Sequence, residues 1–168
     1  MIRLTVTENT EQMKKRQQCI RYLATHTVDV GLTSQASGRS RMLLAIHTHG
    51  APAMRIPPRP VVQPALSRGA VRGEMASRLT EACASAMAGD LPGTASALEA
   101  AGQAGVDGIH AYIDAGIDPP NAPVTLSGGW IYNRVAKKGV RVSGKQGSTP
   151  LKDTGALYND FDWEIVEK

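Results

Sequence analysis

Three prolines fall within four residues of the run Arg55-Ile56-Pro57-Pro58-Arg59-Pro60, and no other stretch narrows the conformations of this chain so far. Each proline holds φ at about −65° and drives the residue before it out of the helical region, so residues 56 to 59 are expected to run extended as a stiff polyproline-like arm. Pro60 suits the first turn of a following helix, where its missing N–H is no loss. In the simplest reading the run leads into that helix. A ligand for an SH3-like groove would need an exposed polyproline segment, and four residues wedged between apolar elements do not offer one.

With 168 residues the chain is long enough for a core of its own, and a single α+β domain over 1–168 is expected. One Phe, two Trp and four Tyr leave that core aliphatic and rich in small residues, so part of the apolar surface is expected to be covered by other subunits. No run reaches the length of a membrane span. Met1-Ile2-Arg3-Leu4 does not open a signal-peptide hydrophobic region, so the expected place is the cytosol of the cell that makes the protein, with no membrane partner. Cys19 and Cys83 stand alone in helical patterns, without metal-binding or redox spacing, and are expected to be reduced core thiols.

The net charge of +4 conceals an arrangement in blocks. From Arg39 to Arg78 there are seven arginines against one acid, Glu74. From Leu79 to Asn133 there are six acids, Glu81, Asp90, Glu99, Asp107, Asp114 and Asp118, and no Lys or Arg. The sign then reverses, with Arg134, Lys137, Lys138, Arg141 and Lys145 and no acid among them. Such segregation lets a basic face of one subunit meet an acidic face of the next, as a head-to-tail ring contact requires; solvated helix faces explain any single block equally well.

Periodicity supplies the elements. Ile2 to Val6 alternates as a strand, Asn9 or Thr10 can cap a helix over about 11–25, and Thr27 to Leu32 alternates again. Residues 33–41 are expected as a loop and Met42 to His47 as a short apolar segment ended by Gly50-Ala51-Pro52. A long helix over about 60–88 would carry Val62, Leu66, Gly73, Ala76, Leu79, Cys83 and Met87 on its packing face. A second, over about 93–116, clusters Leu98, Gly102, Gly105, Ile109, Ile113 and Gly116 on one side, with Glu99, Asp107, Asp114 and Asp118 facing away, and stops at Pro119-Pro120. Lys137 to Thr149 is expected as a flexible basic loop or irregular hairpin. Asp153 can cap a short last turn before a strand in which Phe161, Trp163 and Ile165 alternate with Asp162, Glu164 and Val166. The fold class is α+β: a small, mainly antiparallel sheet packed by two long helices, with an extended Pro-rich arm and a mobile basic loop.

This order of elements, with Ile56-Pro57-Pro58-Arg59-Pro60, the double proline and Pro150-Leu151-Lys152-Asp153-Thr154-Gly155-Ala156-Leu157, resembles the tail-completion and head-tail joining proteins of long-tailed bacteriophages over nearly the whole chain. Two positions depart from the family pattern. His47-Thr48-His49-Gly50 stands where members often carry an acidic-aromatic-Gly triplet, and Thr125-Leu126-Ser127-Gly128-Gly129 where they carry Thr-Ile-x-x-Lys. The resemblance implies a virion protein of the neck or tail, assembled in the host cytoplasm. It would form a ring, expected as a hexamer, between the head connector or adaptor and the tail tube or tail terminator. Tail terminator or minor tail subunit remains the alternative on the same fold, and a basic nucleic-acid-binding module the outsider. Subunit-interface positions would be Arg55, Ile56, Pro57, Pro58, Arg59, Pro60, Glu99, Asp107 and Asp114, with Arg59 forking onto a neighbour's carboxylate. Pro119, Pro120, Asp153, Thr154, Gly155 and Leu157 would be structural, Asp153 and Thr154 capping the turn that sets Leu157 against the sheet. Arg134, Lys137, Lys138, Arg141 and Lys145 would face the lumen and make transient, non-specific contact with passing DNA.

No enzyme and no cofactor are expected. Asp153-Thr154-Gly155-Ala156 matches the catalytic tetrapeptide of retroviral-type aspartic peptidases, but that chemistry needs two carboxylates sharing a proton, each after a buried apolar strand. Thr149-Pro150-Leu151-Lys152 is no such strand. His47 and His49 could chelate zinc, yet a site needs three or four ligands, and no acid or Cys lies within about twenty residues downstream. Sequence-specific DNA binding lacks a helix-turn-helix, a zinc finger or an aromatic platform.

Overall fold

In the computed structural model the described residues are 10–134, 136–144, 150–151 and 155–168. The expected strand over 2–6, the cap at Asn9, and Lys145, Asp153 and Thr154 lie outside them. Helix α1 (Thr10–Thr25) runs directly into β1 (His26–Leu32), whose alternating β-branched residues favour the extended state. Helix α2 (Gly38–His49) is longer than the apolar segment expected over 42–47, because Ser37 caps it: the Ser37 Oγ accepts from Ser40 N at 3.1 Å. The loop is thereby cut to residues 33–37. Gly50 ends α2 at φ 73°, and a Cβ there would stand 2.8 Å from the Ile56 carbonyl oxygen, so glycine is required. A single 3₁₀ turn (Pro52–Met54) closes on left-handed Arg55, and Ile56 pairs back to Ala51.

The single long helix expected over 60–88 is two helices, α3 (Val62–Leu66) and α4 (Gly69–Ala88), separated at Ser67-Arg68. The break changes the phase. Helix α4 turns Val71, Met75, Ala82 and Ala86 inward and leaves Gly73, Ala76, Leu79, Cys83 and Met87 exposed, against the expected face, whereas Val62 and Leu66 of α3 pack on the core as expected. An Ala-rich helix has apolar residues nearly all round, so its period does not single out one side. Cys19 is buried, but Cys83 is an exposed thiol rather than a core one.

Helix α5 (Leu91–Asp114) is capped by Asp90, whose carboxylate accepts from Gly93 N at 3.0 Å, with Pro92 in the first turn. Leu98, Gly102, Gly105, Ile109 and Ile113 are buried as the period requires, while Glu99, Asp107 and Asp114 are exposed; Gly116 lies beyond the helix and is exposed. After it come a short helix α6 (Pro123–Ser127), strands β2 (Gly129–Asn133) and β3 (Lys138–Val142), the turn helix α7 (Ala156–Asn159), and β4 (Phe161–Glu167).

The strands form two separate antiparallel ladders among the described residues, β1 with β4 and β2 with β3. Helix α5 lies on the β1–β4 ladder, and α4 packs on α5 and α1. Glycines on α5 set these distances: Cβ atoms at 102 and 105 would stand 2.6 Å from Trp163 Cγ and 2.9 Å from Val30 Cγ1. Gly108, absent from the expected face, admits Val71 of α4, with 2.5 Å to its Cγ1. The main core gathers Val61, Ala65, Ile109, Ile113, Ile117, Leu151, Leu157 and Phe161; a smaller one joins Ala82, Ala97 and Leu98. The fold is a small α+β architecture built on two tightly packed long helices.

Candidate functional site

Three surfaces carry the residues singled out in the sequence. The first is the proline arm, which runs from Pro57 to Val61 without helix or ladder. The Arg59 amide donates to the His47 carbonyl at 2.5 Å, fastening the arm to the end of α2. The residue as a whole is 5% exposed, and its guanidinium donates through Nε to the Pro119 carbonyl at 2.5 Å and through an η nitrogen to the Pro120 carbonyl at 2.8 Å. Burial pushes this guanidinium below its ordinary value. Within the chain Arg59 is therefore a clamp between two proline motifs, with two of its five N–H donors given to these carbonyls. Arg55, Pro58 and Pro60 are exposed, and Ile56 and Pro57 are half-buried.

Beside the arm lies a groove of about 810 Å³, lined mostly by apolar side chains including Leu44, Val62, Leu66, Met75 and Leu79. The outward face of α4 continues from it through Leu79, 43% exposed, and Cys83 to Met87, 60% exposed.

The second surface is the outer stripe of α5. Asp107 accepts from Gln103 Nε2 at 2.9 Å, and Asp114 accepts from the Tyr158 hydroxyl at 3.2 Å. Tyr158 in turn stacks on His110 at 4.1 Å between ring centroids, so Asp114 belongs to a small network that holds α7 to α5. Among the described residues Glu99 and Asp107 make no ion pair; the ion pairs are Lys14–Glu11 and Arg78 with Glu74 and Glu81.

The third surface was expected as a flexible basic loop or an irregular hairpin. Lys138 to Val142 is strand β3 of a hairpin, paired with β2 so that Trp130 stands opposite Arg141, Tyr132 opposite Gly139 and Asn133 opposite Lys138. Alternation decides which side each residue takes. Ile131, Val140 and Val142 are half-buried, while Trp130 is 72% and Tyr132 58% exposed, beside exposed Gly139 and Arg141. At the turn, Ala136 N donates to Asn133 Oδ1 at 2.9 Å, and Lys137 is left-handed at φ 48°. Arg134, Lys137 and Lys138 are exposed there. A cleft of about 440 Å³ opens between this hairpin, α6 and the 3₁₀ turn, and Arg55, Thr125, Trp130, Tyr132 and Ser143 contribute to its lining.

The structure thus supplies an aromatic platform that the sequence analysis did not find. Its signal was the alternation of Trp130 and Tyr132 with Gly129, Ile131 and Asn133, masked by the many glycines and cations around it. The double proline closes α5's connection and receives the Arg59 clamp. Gly155 is left-handed at φ 79°, opening α7, and Leu157 is buried in the main core as expected. No group of three or more His, Cys, Asp or Glu among the described residues is placed to hold a metal ion. No described helix is long and apolar enough to cross a membrane. Comparison with protein-family models, with curated proteins and with solved structures finds no match to this chain.

Proposed function

We propose that this chain is a structural subunit of a bacteriophage neck, one copy of a ring that joins the tail tube to the head connector and lets DNA pass. The observation that carries this reading is the apolar groove beside the proline arm, continued by Leu79 and Met87 on α4. An isolated soluble domain gains nothing by leaving contiguous apolar surface in water, and a subunit whose neighbour covers it does. The charge blocks supply polarity: the outer face of α5 is acidic, the hairpin basic, and the two are remote in sequence. The order of motifs that resembles tail-completion and head-tail joining proteins is what favours this assembly over another. Arg134, Lys137, Lys138 and Arg141 then face the lumen, where repetition around a ring multiplies a positive field felt by any passing polyanion. Tail terminator on the same fold differs only in which structure the ring meets.

Light scattering on the purified protein, alone and mixed with tail tubes or connectors, followed by negative-stain imaging, tests the reading. Expected are rings, or caps at one end of each tube; the end that is capped separates connector from terminator. A strict monomer that ignores both partners overturns it.

A further inference from the structure

We propose that the exposed face of the β2–β3 hairpin binds an unpaired nucleic-acid strand, with bases stacked on Trp130 and Tyr132 and the phosphates met by Arg141 and Arg55. This deepens the assignment of the basic hairpin to passing DNA; it rests on that assignment and not on the ring.

Trp130 and Tyr132 are two positions apart on one strand, so they point the same way about 7 Å apart. Adjacent bases of an extended single strand can meet two rings at that spacing. The position opposite Tyr132 is Gly139, which has no side chain to cover the rings; a Cβ there would stand 3.3 Å from Trp130 Cε3. Opposite Trp130 is Arg141, within about 5 Å by the geometry of a cross-strand pair. An aromatic pair with a planar cation beside it is the arrangement by which single strands are held without regard to sequence.

Charge selects the partner. From Pro119 to Lys152 the chain carries six basic residues and no acid. Arg55, brought from a distant segment, adds another cation to the cleft beside the rings, where Thr125 and Ser143 offer hydroxyls for base edges or phosphate oxygens. The aliphatic residues of that cleft, Met54, Val124, Ile131 and Val142, are half-buried at its base, so the side chains that reach out from the face are Trp130, Tyr132 and Arg141. Duplex DNA has its bases already stacked and can meet the cations alone, so the aromatic rings discriminate for the unpaired strand.

The test uses the full chain with a labelled oligothymidylate and a duplex of equal length, read by fluorescence anisotropy across a salt series. Expected is tighter binding to the single strand, quenching of tryptophan fluorescence that is absent in Trp130→Phe, and a loss of about 10- to 100-fold on Trp130→Ala or Tyr132→Ala. Duplex binding should be unchanged by either aromatic substitution. Replacing Arg55 or Arg141 by Gln should flatten the single-strand salt slope by about 0.7 per charge. Both rings are exposed, and an unchanged thermal melt confirms that each variant folds. Equal binding to single strand and duplex, indifferent to the aromatics, overturns the stacking while leaving the DNA-facing assignment in place. Binding to neither, with self-association lost in Trp130→Ala, overturns both and makes the hairpin a contact between copies.

Discussion

A single buried cation links the two proline motifs that most restrict this backbone. Arg59 donates to two successive carbonyls, at Pro119 and Pro120, and its planar fork matches that pair as an ammonium cannot. Arg59→Ala should therefore cost about 2–4 kcal/mol in urea unfolding, and Arg59→Lys should recover less than half of it. An alanine variant as stable as the parent would remove the clamp. Asp160 acts at the turn between α7 and β4. The Ser40 hydroxyl, then the Ser37 amide and hydroxyl, hold its carboxyl below the usual carboxylate range. The folded chain takes up that proton less readily than the unfolded one. Its stabilisation is complete above the ordinary carboxylate value and fades as the pH falls through the lower folded value. Asp160→Asn should thus be less stable than the parent at pH 7, and the gap should close below about pH 4. A gap that persists in acid would show that the loss is not one of charge.

Helix α5 organises the elements because three of its glycines face different neighbours: Trp163 of β4, Val30 of β1 and Val71 of α4. Gly102→Ala would gain about 0.5–1 kcal/mol of helix propensity and lose about 1–3 kcal/mol by driving a methyl into Trp163, a net destabilisation. Gly73→Ala on α4, with open space around it, should gain the propensity alone and raise the melting temperature. If both substitutions shift the melting temperature the same way, close approach is not what the α5 glycines provide. The same helix shows what could be read in advance. Its period separated Leu98, Ile109 and Ile113 from Glu99 and Asp107 because large apolar and charged residues alternate on the turn. Helix α4 lacks that contrast, and the stop at Ser67-Arg68 shifts its phase, so its inner face was taken for its outer. At Ser67-Arg68 the guanidinium of Arg68 lies 4.6 Å from the centre of the Tyr112 ring, a contact between distant segments that no local pattern announces. The Arg59 clamp and the cleft shared by Arg55, Trp130 and Tyr132 were hidden for the same reason.

At the scale of the whole molecule, uncovered apolar surface and segregated charge are the properties that bear on assembly. Leu79 and Met87 contribute little to the core of the fold. Replacing both by Glu should leave the melting temperature within a few degrees and move the scattering mass towards the monomer; a ring that survives both substitutions would place the contact elsewhere on the surface. One further consequence follows from the first ladder. It joins β1 to β4, pairing Thr27 with Val166 across 139 positions. During synthesis α1, α4 and α5 can begin to associate as they leave the ribosome, but the glycine side of α5 has no Trp163 to receive until residue 163 has been made. Every chain interrupted earlier carries that side open to solvent. A chain stopped before residue 163 should accordingly be cut by protease faster than the 168-residue chain, because its unfinished ladder leaves the glycine side of α5 exposed.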